Sequence, residues 1–200
     1  MSTAENLLIA PSNLVQGTGY LLGAVSGAAT VIAAAGDVFA LRNVSSRAIA
    51  VSGIRIRWVT STAFGAAQSM AFRVNKVYGF TVLHTTGGTA VQAHYKRQAN
   101  IRGSAVGDRV PTTDLAAYIA GTAAITGATY TAEDTDEPEV FAVGAGSVLP
   151  GVYEDWYPAD GLPLVLEQNQ GIVVNNHITM GATGVGNLFV GVELFREYAQ

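Results

Sequence analysis

Apolar and polar positions alternate in twos along much of the chain, most plainly between Pro163 and Arg196. A short run from Leu164 to Glu167 meets a turn at Asn169-Gln170-Gly171. A second run follows from Ile172 to Met180, then a Gly-rich turn over 181–186 and a third run from Leu188 to Arg196. In the second run Ile172, Val174, Asn176 and Ile178 fall on one face and Val173, Asn175, His177 and Thr179 on the other. In the third, Leu188, Val190, Val192 and Leu194 alternate with Phe189, Gly191, Glu193 and Phe195. A period of two predicts half-buried antiparallel strands, here in the order of a meander.

The same period recurs upstream. Asp37 to Val44 sets Val38, Ala40, Arg42 and Val44 against Phe39, Leu41 and Asn43. In the run from Ala48 to Thr60, Ile54, Ile56 and Trp58 oppose Arg55, Arg57 and Val59, which makes Trp58 the expected core anchor. Ala67 to Tyr78 reads as the next strand rather than a helix, because Gly65 is a poor N-cap and the preceding run needs an antiparallel partner. Val77 to Leu83 continues it with a break at Gly79, His84 to Thr89 is a loop by its turn chemistry, and Ala90 to Ala99 is an edge strand. From Thr112 two readings stay open. Thr113 or Asp114 caps a short helix with Leu115, Tyr118 and Ile119 inward and Gly121 as its stop, or Ala123 to Tyr130 is a strand. The acidic run from Glu133 to Glu139 reads as a solvated loop, and 150–163 as an irregular aromatic segment.

Residues 1–36 show neither period. Their apolar clusters, Leu7-Leu8-Ile9, Leu14-Val15 and Tyr20-Leu21-Leu22, suit either an edge strand with loops or an extended arm across a neighbouring subunit. The predicted organisation is all-β: an N-terminal arm over 1–36 and an antiparallel two-sheet sandwich, jelly-roll-like, over 37–200.

Composition sharpens this. Only 13% of residues are charged and 49% are hydrophobic, against about 25% charged in an ordinary soluble domain. So few charges imply a surface covered in part by other subunits. A net charge of −4 without a Lys/Arg cluster argues against wrapping nucleic acid. The stretch from Asn6 to Gly36 carries no charge, yet it is interrupted by Gln16, Gly17, Gly19, Gly23 and Ser26 and follows no basic segment, so neither a signal peptide nor a membrane span is expected. With no cysteine, disulfides and thiolate metal sites are excluded.

Candidate chemistry is sparse. His84, His94 and His177 form no H-x-x-x-H pair, no serine sits in G-x-S-x-G, and the glycine clusters lack both the spacing and the following helix of a phosphate loop. The acidic run has no EF-hand spacing. No catalytic residue, cofactor or metal site is expected. Tyr153, Trp156 and Tyr157 suit either a sugar-stacking platform or an interface. Candidate interface residues are therefore Leu7, Leu8, Ile9, Leu14, Val15, Tyr20, Leu21 and Leu22 in the arm, with Tyr153, Trp156 and Tyr157.

One set of motifs, in order, resembles a known family. These are Leu41-Arg42-Asn43, Ile54-Arg55-Ile56-Arg57-Trp58, Ala66-Ala67-Gln68 and Thr86-Gly87-Gly88-Thr89-Ala90. Next come Pro163-Leu164-Val165-Leu166 with Gln168 and Gly171, then Asn176, Ile178 and Met180-Gly181-Ala182-Thr183-Gly184, and lastly Val192-Glu193. Together they resemble virion structural proteins of tailed bacteriophages, of the head decoration or cement type. The sequence departs from that pattern at Glu167 and Gln170, and at Val174-Asn175-Asn176, where the family tends to carry a basic residue before the Asn. The resemblance implies a non-enzymatic protein on the capsid surface, assembled in the host bacterial cytoplasm. Its expected partners are the major capsid protein and further copies of itself, in a homotrimer, with neither nucleic acid nor membrane. A tail or baseplate component and a carbohydrate- or receptor-binding module are the alternative expectations.

Overall fold

The computed structural model describes residues 18–30, 32, 35–66, 68–95, 112–135, 139–143, 152–156, 163–181 and 183–196. They form strands only: β1 (Thr18–Val25), β2 (Asp37–Asn43), β3 (Ile49–Thr62), β4 (Gln68–Val82), β5 (Gly88–Val91), β6 (His94–Tyr95), β7 (Leu115–Ala120), β8 (Thr129–Thr135), β9 (Glu139–Val143), β10 (Val152–Trp156), β11 (Leu164–Leu166), β12 (Gly171–Asn176) and β13 (Val185–Arg196). The first sheet has six strands in the order β10-β3-β13-β1-β6, with β11 also on β3. The second has seven in the order β5-β7-β2-β12-β4-β8, with β9 also on β4. Every pairing is antiparallel.

The expected two-sheet antiparallel sandwich is what the chain builds. Its jelly-roll-like feature is repeated crossing between sheets, since β1, β3 and β13 lie in the first sheet while β2, β4 and β12 lie in the second. The meander expected for 164–196 does not form. All three strands exist, but β11 joins β3, β12 fills the gap between β2 and β4, and β13 inserts between β3 and β1. The reason is apolarity on both faces: Gly171, Ile172, Val173 and Val174 are all buried, which suits a central strand rather than a hairpin with one wet face. β12 also stops at Asn176, short of Met180, where the Asn176 side chain turns to donate to the carbonyls of Ile32 and Ile178.

The boundary at Asp37 moves as well. Thr18–Val25 pairs residue for residue with β13 and also meets β6, so this part of 1–36 belongs to the sandwich. Two further expectations change. Leu115 to Ala120 is a strand and not a helix, because alternation puts Leu115, Ala117 and Ile119 in the core while β2 and β5 take up its backbone groups. The aromatic segment includes the regular strand β10, paired with β3, and Glu133 to Thr135 lie in β8 rather than in a loop.

Between the sheets, Trp58 of β3 meets Phe72 of β4 with ring centres 5.8 Å apart. Around them pack Leu22, Ile54, Ile56, Leu188, Val190 and Val192 from the first sheet, with Phe39, Leu41, Val74, Ile119, Ile172 and Val174 from the second. Burying a side chain of this size contributes about 1.5–3 kcal/mol. A register shift between β3 and β13 lets both Val51 and Ile54 face inward although they stand three positions apart. The inserted Ser52 donates to the Glu193 carbonyl at 3.3 Å.

The second sheet is closed on its far side too. Val38, Ala40 and Val173 are buried although they alternate with core-facing residues. β4 bends at Gly79, whose φ of 60° a side chain would strain, and beyond it Phe80 lies over Gly171, where an added Cβ would strike the Phe80 ring and the Leu41 carbonyl. Tyr118, on the outer side of β7, donates to the Gly88 carbonyl at 2.9 Å and ties down the next part of this cover.

Candidate functional site

The residues expected to make contacts fall into three groups. Leu7, Leu8, Ile9, Leu14, Val15 and Tyr157 lie outside the described residues. Tyr20 and Leu21 sit within β1, their backbones paired with Leu194 and Glu193 on one side and Tyr95 and His94 on the other, while Leu22 is 0% exposed in the chain's own core. Leu22 is therefore not an interface residue, because the apolar cluster that suggested an arm is a strand of the sandwich. Tyr153 and Trp156 stand opposite Arg57 and Ile54 in β10.

The structure instead brings together Asp37, His84 and Tyr130, which sequence spacing kept apart. The Tyr130 hydroxyl donates to Asp37 Oδ2 at 2.6 Å, and His84 Nε2 lies 2.7 Å from the same oxygen. A carboxylate only accepts, so the ring proton sits on Nε2. Phe80 braces both rings, with centres 5.4 Å from Tyr130 and 6.2 Å from His84. Burial first, then the bond to Asp37 and its charge, hold the Tyr130 hydroxyl far above its ordinary range, so it remains a donor.

These groups border an open recess of about 490 Å³, rimmed by Ala35, Gly36 and the stretch Ala124 to Thr129. An imidazole oriented by a carboxylate is the geometry of a general base. Here the remaining nitrogen, His84 Nδ1, is itself buried, as is Asp37 Oδ1. The trio joins the start of β2, the chain after β4 and the start of β8. Among the described residues no group of three His, Asp or Glu side chains converges as a metal site. Among the described residues no helix is long and apolar enough to cross a membrane.

The exposed surface is more informative. On the outer face of the first sheet Val25, Phe189 and Arg57 stand in one row across β1, β13 and β3, with Gly23, Gly191 and Arg55 in the next. Val25 is 52% exposed and Phe189 36%, and the Arg57 guanidinium lies 5.9 Å from the Phe189 ring centre. On the second sheet Tyr78 and Val82, on either side of the bend in β4, are 42% and 45% exposed. One of these signals was legible in advance, since Phe189 alternates with core residues and is apolar on the face that ought to be polar. No protein-family model matches the chain, and no curated protein matches it.

Proposed function

We propose that this protein is a head decoration, or cement, protein of a tailed bacteriophage that binds across major capsid protein subunits and stabilises the shell. The observation that carries the reading is the exposure of large apolar side chains on both sheets of a charge-poor sandwich, Val25 and Phe189 on one and Tyr78 and Val82 on the other. A chain of 13% charged residues with large apolar side chains exposed on each sheet suits a part that meets neighbours. The mechanism is binding. Several copies, a homotrimer in the simplest case, attach together, so that individually weak contacts add as avidity. The site of action is the virion surface, reached by assembly in the bacterial cytoplasm.

The test is direct. Purified protein is mixed with capsids that lack it, the co-sedimenting mass is weighed, and the rupture temperature of the shells is recorded. Binding at a fixed stoichiometry with a raised rupture temperature supports the proposal. Protein that leaves such shells unbound moves the reading to a tail or baseplate component of the same virion.

A further inference from the structure

From the outer face of the first sheet we infer that this face pairs with the same face of a second copy of the chain. Gly23 and Gly191 are cross-strand partners in the middle of β1 and β13. A glycine inside a strand weakens it and is expected where the backbone bends or where something approaches closely. Among the described residues neither reason exists. A Cβ at Gly23 would meet nothing within 4 Å, one at Gly191 only the Arg55 Cβ at 3.8 Å, and neither residue has a positive φ. The two glycines leave a trough of bare backbone that can admit an atom from outside.

The next row supplies the complement. Val25 and Phe189 form an exposed apolar ridge beside the trough on the same two strands. A copy turned over about a two-fold axis between the two rows seats each ridge in the other's trough, which is the self-matching that an isologous contact requires. Arg55 and Arg57 on β3 and Glu193 beyond the trough then form a polar rim around an apolar centre. Strands of 14, 12 and 8 residues span roughly 540 Å² at the usual rise and spacing; because β1 ends at Val25, beside the axis, the two-fold overlaps about 430 Å² of it, so two copies bury about 870 Å², the size of a weak, reversible contact.

This pairing is independent of capsid binding and is tested without it, by sedimentation equilibrium of the purified full chain. A two-fold contact gives a mass of two chains, or of six where trimeric units are doubled. Gly23→Thr with Gly191→Thr fills the trough in open space, so the variant melts at or above the wild-type temperature while its association constant falls at least ~100-fold. Phe189→Ser, which removes the ridge without touching the core, gives the same loss of mass. A wild-type mass of one or three chains overturns the inference, and so does a double-threonine variant that keeps the wild-type mass. A variant that keeps its mass and loses binding to capsids also overturns it, and gives the face to the shell.

Discussion

Asp37→Asn tests whether the Asp37, His84 and Tyr130 trio holds the fold together. In the native chain Asp37 Oδ2 accepts from Tyr130 at 2.6 Å and from His84 at 2.7 Å, while Oδ1 is buried. The amide keeps the shape. Its oxygen takes the place of Oδ2, and its NH₂ falls where Oδ1 was, a buried position without a hydrogen-bond partner in the native chain. Two charge-assisted bonds become neutral ones of about half the strength, a loss of about 1 kcal/mol each. The newly buried donor adds about 1 kcal/mol at the low end of the cost of an unsatisfied group. The sum is roughly 3 kcal/mol, which lowers the melting temperature of a domain this size by roughly 6–12 °C. Thermal unfolding followed by near-UV circular dichroism reads it, because Tyr130 and Trp58 both report on packing. A double-mutant cycle with Tyr130→Phe gives a coupling of about 1 kcal/mol if both act through one oxygen. Melting of Asp37→Asn within about 2 °C of wild type would refute the clamp and with it the claim that these atoms are a structural joint.

Other outcomes follow from the same geometry. Trp58→Ala removes the ring that meets Phe72 and the indole N–H that donates to Thr60 at 3.0 Å, and lowers stability by about 3–5 kcal/mol in urea titration. Gly171→Ala drives a methyl into the Phe80 ring and the Leu41 carbonyl, costing about 1–3 kcal/mol in the same assay. Because Tyr130 titrates above its ordinary 10 in the folded chain, its contribution is complete below that pH. It declines as pH rises further, when the unfolded chain ionises first. Urea midpoints taken at about pH 8 and about pH 11 therefore fall further for wild type than for Tyr130→Phe.

How far the sequence announced this structure depends on which force governed each element. Where one face was buried and the other wet, as in β13 or in Ile54 to Trp58, a period of two specified strand and face together. It did not specify the partner. Strands β11, β12 and β13 are consecutive in the chain, yet sheet membership alternates among them, and the clue lay in Ile172-Val173-Val174, a run apolar on both faces. The segment Leu115 to Ala120 was ambiguous because alanine suits both helix and strand, and neighbouring β2 and β5 decided it. Val51 and Ile54 share a face only through the extra Ser52, which no periodicity reveals. Asp37, His84 and Tyr130 were invisible for another reason. They stand 47 and 93 residues apart along the two bonds, and local spacing carries no information on such pairs.

The low charge of the chain has a physical reading beyond the size of its core. A buried core needs apolar residues, but it does not need the remaining surface to lack Lys and Glu, and an isolated domain gains solubility from them. Val25 and Phe189 occupy outward positions of a sheet whose inner face is already filled by Leu22, Ile56, Leu188 and Val190, so core packing does not explain them. Tyr78 and Val82 are exposed on β4 of the other sheet. A part built into a shell needs one surface for its own kind and one for the lattice beneath. If a charge placed at Tyr78 weakens attachment to capsids and leaves the mass of the free protein unchanged, while a charge at Phe189 does the reverse, the two surfaces have these separate uses. Loss of both properties from either change would mean one continuous interface and would remove the argument for two.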